Sequence, residues 1–301
     1  MTDIKNYETF VKIKPITKGL SGDKKYCVET DSGKQLFLRI SDVEEYDRKK
    51  AEYNMMEHVH TLGFITPQPI DFGLCNSGKS VYSISDWIDG KDAEKLLPAM
   101  LEAEQYILGV KTGETLQKIH SLPVPEYVEP WNNRFDRKVR DWIGAYKSKP
   151  QIHSDIGEII VCYLESRRCI LDSRLQTFIH GDYNIENIIV TPSGKIWVID
   201  FNSYNLSYGD PWWDIDNMSW MPVMFPYFYI GQIKGYFNGE PPTDFWNVLT
   251  YYLAYDALAA LTDPYGLNGI EDGSGIVNNI LKWTDNFNNP VPTWYLKDFY
   301  V

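Results

Sequence analysis

Phe178-Ile179-His180-Gly181-Asp182-Tyr183-Asn184-Ile185-Glu186-Asn187 leads into Ile188-Ile189-Val190, then through a Thr-Pro-Ser-Gly turn at 191–194 into Lys195-Ile196-Trp197-Val198-Ile199-Asp200-Phe201. The reading of the whole chain turns on this stretch. It sets an Asp, an amide five residues later and a second Asp on a strand–loop–strand unit. Gln176-Thr177-Phe178-Ile179 is a short apolar approach to His180, and the two later apolar runs read as strands joined by turn chemistry. Asp200 therefore leaves a buried strand directly into a loop.

That layout suits one kind of chemistry. Moving a phosphoryl group from ATP to a hydroxyl needs a carboxylate to orient the attacking oxygen, and oxygen ligands to hold Mg2+ on the phosphates. Asp182 is the candidate for the first task, and Asn187 with Asp200 for the second. The bland alternative is a β-hairpin that carries ordinary surface acids.

The order His-Gly-Asp-x-x-x-x-Asn, then Asp-Phe-Asn, parallels the His-Arg-Asp-x-x-x-x-Asn and Asp-Phe-Gly of protein kinases. With Gly181 in place, it resembles the aminoglycoside phosphotransferase family, small-molecule kinases with a protein-kinase-like fold. The resemblance implies an α+β, two-lobed molecule. Residues 1–90 would form an antiparallel-sheet N-lobe ending in a hinge. Residues 91–301 would form a mainly helical C-lobe with the catalytic loop and substrate pocket.

Other segments fall in the order that this implies. Lys18-Gly19-Leu20-Ser21-Gly22-Asp23-Lys24-Lys25 lies between two alternating runs, Phe10–Ile13 and Tyr26–Thr30. A turn with two glycines can bring backbone N–H groups close to phosphate oxygens, so Gly19, Ser21 and Gly22 are candidate nucleotide contacts. An ordinary hairpin turn is the alternative there. Gln35-Leu36-Phe37-Leu38-Arg39-Ile40 is an apolar strand with one cation against its pattern, and Glu52 follows in a helical run from Tyr46 to Leu62. Kinase-like folds pair a strand cation with a helix glutamate. Most of the resembled family has Lys at this strand position; here Arg39 stands, a planar fork rather than a point charge. Val81–Gly90 fits a strand ending in the hinge, and the resemblance assigns adenine recognition to the Trp87 carbonyl and Ile88 amide. Ala93–Leu101 and Tyr106–Ile119 read as helices, with His120 a packed or capping histidine.

Composition narrows the surroundings. With 29 Lys and Arg against 41 Asp and Glu, the formal charge is −12, which disfavours nucleic acid and favours a cationic partner. No run of eighteen apolar residues predicts a membrane span, and Met1–Asn6 does not read as a signal peptide. Cys27, Cys75, Cys162 and Cys169 lack metal or disulfide spacing, so a cytoplasmic setting is expected.

After Asp200, Gly209-Asp210-Pro211-Trp212-Trp213-Asp214 opens a further helix, and the resemblance sets Asp214 to hold the catalytic loop. Too few residues separate Asp200 from that helix for a long activation segment, and no Ala-Pro-Glu follows. A protein kinase is therefore disfavoured. Aromatic residues interleaved with acids continue through Tyr255 and Asp256, and could recognise a cationic, hydroxylated small molecule. Trp213, Asp214, Tyr255 and Asp256 are the candidate substrate residues, although core packing is the ordinary role of such rings. The loop from Gly266 to Gly275 is a candidate cover. The expected function is ATP-dependent O-phosphorylation of an aminoglycoside-like or other amine-bearing acceptor, with antibiotic resistance one consequence. The alternatives are a kinase of a metabolite such as choline, and a non-catalytic kinase-like regulator.

Overall fold

The structure is a computed structural model that describes the chain apart from residues 18–21, 62, 64, 123, 125–127, 173, 202–207, 217–220, 264–272, 300 and 301. Gly19 and Ser21 of the glycine turn therefore lie outside the described residues, as does most of the Gly266–Gly275 loop. The chain divides into two compact units. One comprises Met1–Leu96 with Ile185–Asn205, the other Leu97–Asn184 with Leu206–Val301.

In the first unit, strands β1 (Phe10–Ile16), β2 (Lys24–Thr30), β3 (Gln35–Asp42), β4 (Pro69–Cys75) and β5 (Ser80–Asp86) form an antiparallel sheet in the order β1-β2-β3-β5-β4. Alternation decides what each face carries. Val28, Leu36, Leu38, Ile40, Tyr82 and Ile84 pack one apolar face together with Ile4 and Cys75. The register sets Lys25 opposite Arg39 and Ser83 opposite Arg39 on the other side, so these polar side chains share the other face with Phe37 and Val81. Helix α1 (Tyr46–Thr61) follows β3, as the charged-then-apolar run predicts.

Strand β6 (Lys91–Asp92) pairs with β8 (Ile188–Val190), which pairs with β9 (Ile196–Val198). The expected hairpin is thus present, turning through Gly194 at φ +75°. The helix expected over Ala93–Leu101 stops early: α2 covers Ala93–Leu96, and Leu97–Ala99 is a 3-10 turn. Pro98 explains this, because it cannot donate the amide that would continue an α-helix.

The second unit is mainly helical: α3 (Glu102–His120), α4 (Trp131–Lys147), α5 (Asp155–Ser166), α6 (Trp213–Asp216), α7 (Pro226–Phe237), α8 (Thr243–Thr262) and α9 (Gly273–Trp283), with β7 (Thr177–Phe178) paired to β10 (Tyr208–Gly209). Helices α3 and α7 touch through glycines. A Cβ on Gly109 would lie 2.0 Å from the Phe228 carbonyl oxygen, and one on Gly113 2.0 Å from that of Gln232. Only hydrogen fits between these backbones. Phe245, Trp246, Tyr251 and Tyr252 of α8 are buried, so these rings build core. An antiparallel N-terminal sheet followed by a mainly helical part is the protein-kinase-like arrangement that the resemblance implies. Among the described residues, no helix is long and apolar enough to cross a membrane.

Candidate active site

In the second unit, β7 delivers the chain into the His180–Asn184 loop, and β10 delivers it into α6. Pairing of these short strands sets Asp214 against the loop. Its carboxylate accepts the His180 amide at 2.6 Å and the Gly181 amide at 2.7 Å, and meets His120 Nε2 at 3.0 Å. The Asp214 side chain has no exposed surface. That burial places it behind the loop, as the resemblance implies, and takes it off the list of substrate contacts. His120 is buried and reaches the Tyr236 hydroxyl with Nδ1 at 2.9 Å, consistent with a packing histidine.

A further buried layer supports α6. Arg174 grips Asp210 with a fork at 2.6 and 2.7 Å, and the Tyr252 hydroxyl donates to the same carboxylate at 2.7 Å. Burial, with the Asp210 charge next, pushes the Tyr252 phenol well above its ordinary value, so it stays a donor.

The loop itself turns at Gly181, whose φ is +82°. Asp182 follows, half-buried; its amide donates to His180 Nδ1 at 3.2 Å and its Oδ1 accepts the Asn184 side-chain amide at 2.7 Å. The Tyr183 hydroxyl donates to the Thr112 carbonyl at 2.8 Å and pins the loop to α3. A carboxylate on a backbone fixed from three sides is suited to orienting a hydroxyl.

In the first unit, the β8–β9 hairpin brings Asn187 and Asp200 to one end, where the Ile199 amide donates to the Asn187 carbonyl at 3.0 Å. Asp200 leaves β9 with φ +63°, the left-handed region that Asp tolerates better than most residues. Its side chain is 45% exposed, and Oδ1 accepts Arg39 Nη2 at 3.0 Å. The same guanidinium lies 3.9 Å from both Asp23 and Glu52. The strand cation and helix glutamate expected from the sequence are therefore near each other, but the tighter Arg39 bond goes to Asp200.

Glu52 is shared. It accepts Arg48 at 2.6 Å and lies 3.3 Å from Lys49, whose ammonium donates to Asp23 at 2.7 Å. Asp23 and Lys49 side chains are each only 7% exposed. Burial pushes the Asp23 carboxyl up, yet Lys49, Ser41 and Arg39 together outweigh it and hold the group below its ordinary value. Burial lowers the Arg39 affinity for its proton, and Asp200, Asp23 and Glu52 more than reverse this. For the Lys25 ammonium, burial and then Arg39 act downward, and the net shift is downward.

Trp87 follows β5 and donates its amide to the Gln35 carbonyl at 3.3 Å; Ile88 next to it is half-buried, and Gly22 is exposed. Trp213 packs its ring on Phe135, Tyr252 and Tyr255 with 8% exposure. Tyr255 accepts the Trp142 indole at 3.1 Å, and burial, then Asp256, pushes its phenol up to about 12. Tyr255 and Asp256 are half-buried neighbours on α8.

Sequence reasoning passed over Asp23 and Lys49. The pair spans 26 residues, which no local pattern reports, but Lys49 stands one helical turn before Glu52, and that spacing is the available signal. Asp200 and Asn187, an acid and an amide, are ligand types that suit a hard cation that takes its remaining ligands from phosphate and water. Among the described residues, no group of three or more His, Cys, Asp or Glu could hold a metal by itself.

Comparison with known proteins agrees with the fold. The model of the phosphotransferase enzyme family matches residues 12–246. By sequence alone, no curated protein matches the chain. Among solved structures, a choline/ethanolamine kinase family protein from Mesorhizobium loti aligns with TM-score 0.66 at 15% identity, over 96% of this chain and 95% of that one. A GDP complex of an aminoglycoside 2'-phosphotransferase-IIIa variant gives 0.65 at 14% identity, over 96% and 97%. An amicoumacin kinase in complex with AMP-PNP and Ca2+ gives 0.58 at 15% identity, over 95% and 90%.

Proposed function

The chain belongs to the phosphotransferase enzyme family, and on that premise we propose that it transfers the γ-phosphoryl group of ATP to a hydroxyl of a small, amine-bearing acceptor. The observation that carries this reading is the His180–Asn184 loop, in which buried Asp214 fixes the backbone and presents Asp182. Asp182 accepts a hydrogen bond from the acceptor hydroxyl and takes its proton late, in a loose transition state. Arg39 and Glu52, with Gly19, Ser21 and Gly22 from the sequence, are the residues this reading assigns to the phosphates. Trp87 and Ile88 offer backbone groups to adenine.

Asn187 and Asp200 would hold Mg2+; the Asp200 side chain is 45% exposed and its Oδ1 accepts Arg39 Nη2 at 3.0 Å. When bound, the ion neutralises charge on the phosphate oxygens. A net charge of −12 favours a cationic acceptor, with Tyr255 and Asp256 as candidate contacts. Solved structures of similar fold include proteins named for choline/ethanolamine, aminoglycoside and amicoumacin kinases, so the acceptor class is open across amino-alcohols and antibiotics.

The test is ADP release from Mg-ATP across aminoglycosides, macrolides, choline and related amino-alcohols. Stimulation by one class is expected, and it names the acceptor. A flat panel with nucleotide still bound favours the second reading, a non-catalytic nucleotide-binding regulator.

A further inference from the structure

Four side chains of the first unit close a ring of alternating charge. Lys49 of α1 lies 2.7 Å from Asp23 and 3.3 Å from Glu52, and Arg39 of β3 lies 3.9 Å from each of the same two carboxylates. Lys49 and Glu52 stand one turn apart on α1, whereas Asp23 stands between Gly22 and the first residue of β2. Ser41, buried two residues beyond Arg39 on the same face of β3, adds a side-chain hydrogen bond to Asp23. Asp23 thus ties the entry of β2 to both β3 and α1.

Fixing a helix on a sheet does not call for such a pair. The Asp23 and Lys49 side chains are each only 7% exposed, and taking two charges out of water is expensive. Apolar residues of similar size would attach the helix as well or better. What a buried charge pair adds is placement. A different nitrogen of the Arg39 guanidinium faces each acid: Nη2 meets Asp200 at 3.0 Å, Nη1 lies 3.9 Å from Glu52, and Nε lies 3.9 Å from Asp23. Arg39 Nε is buried and makes no hydrogen bond among the described residues, so Asp23 acts on it through charge. The fork is oriented from three sides, and Lys49 contacts two of the three acids.

We propose that Asp23 and Lys49 are positioning residues for the nucleotide phosphates: the pair fixes where the Arg39 guanidinium sits and ties the foot of the glycine turn to α1. This rests on the phosphotransferase reading above, which assigns Arg39 and that turn to the phosphates. The pair acts through Arg39 rather than by touching the nucleotide. Its loss therefore falls on the triphosphate and spares the base and ribose.

Binding of Mg-ATP and of adenosine, together with melting temperature, is measured on wild type, Asp23→Asn, Lys49→Met, the double variant and Lys49→Arg. Each of the first two changes should weaken Mg-ATP about tenfold and leave adenosine within about twofold. The double variant should lose little more than the worse single variant, because both changes remove one interaction. Lys49→Arg keeps the charge and should recover most of the loss. Asp23→Asn keeps the size of the side chain, so it carries the test even where Lys49→Met fails to fold. A lower melting temperature with Mg-ATP binding unchanged overturns the proposal, and leaves the pair a contact of the fold alone. Equal losses of Mg-ATP and adenosine overturn it too, as do additive losses in the double variant. A wild-type protein that binds neither ligand sinks the phosphotransferase reading itself, and this inference with it.

Discussion

Asp200 and Asp214 are both carboxylates next to the proposed chemistry, and they are held in opposite ways. Asp214 has no exposed surface and bonds two backbone amides and a buried imidazole. Asp200 is 45% exposed, sits in a left-handed backbone conformation and accepts the long side chain of Arg39. The first arrangement resists change, because any movement strands buried donors. The second can exchange its partner, since water or another ligand can replace an arginine at a partly exposed carboxylate. A phosphotransferase needs both: a loop that keeps its geometry through turnover, and a cation-binding face that rearranges when a nucleotide arrives.

Three changes would break or sharpen this contrast, ranked by their effect on stability. Asp214→Ala leaves the His180 and Gly181 amides without an acceptor and should cost about 2–5 kcal/mol, read as a large fall in melting temperature. Gly113→Ala must displace the Gln232 carbonyl, since the added methyl would sit 2.0 Å from it. A cost of about 1–3 kcal/mol is expected from denaturant unfolding. Asp200→Ala should change stability by no more than about 1 kcal/mol in the same assay, because the pair it breaks is partly solvated. If Asp200→Ala proved as damaging as Asp214→Ala, the distinction between fixed and exchangeable carboxylates would fail.

Asp23 adds a smaller effect with a defined pH sign. Its carboxyl lies below the ordinary 3.8 in the folded protein, so it contributes stability above the unfolded value. That contribution is lost as pH falls through the lower folded value. The melting-temperature gap between wild type and Asp23→Asn should hold steady from neutral pH and shrink below about pH 4. A gap independent of pH down to that range would mean that the Lys49 pairing does not stabilise the charged form.

Much of this was legible in the sequence, and the reasons are local. The Asp182, Asn187 and Asp200 spacing sits within 19 residues, and the short apolar runs around it, joined by a Thr-Pro-Ser-Gly turn, are the strands that the structure keeps at Ile188–Val190 and Ile196–Val198. The strand over Gln35–Ile40 and the helix from Tyr46 were readable for the same reason. Long-range pairings were not. Asp23 with Lys49 and Arg174 with Asp210 join segments 26 and 36 residues apart, and only packing brings them together. The contact of α3 with α7 through Gly109 and Gly113 depends on two helices meeting, which neither helix announces alone. Trp213, a candidate substrate residue from the sequence, is buried because Phe135, Tyr252 and Tyr255 close around it.

The account turns on Asp182, so the decisive measurement compares ADP release from Mg-ATP by wild type and Asp182→Asn with an active acceptor, with nucleotide binding measured on both. The account predicts equal binding and a turnover lower by about 10²–10⁴-fold in the variant. Turnover within a few-fold of wild type would contradict it, and the attacking hydroxyl would have to be oriented by some other group.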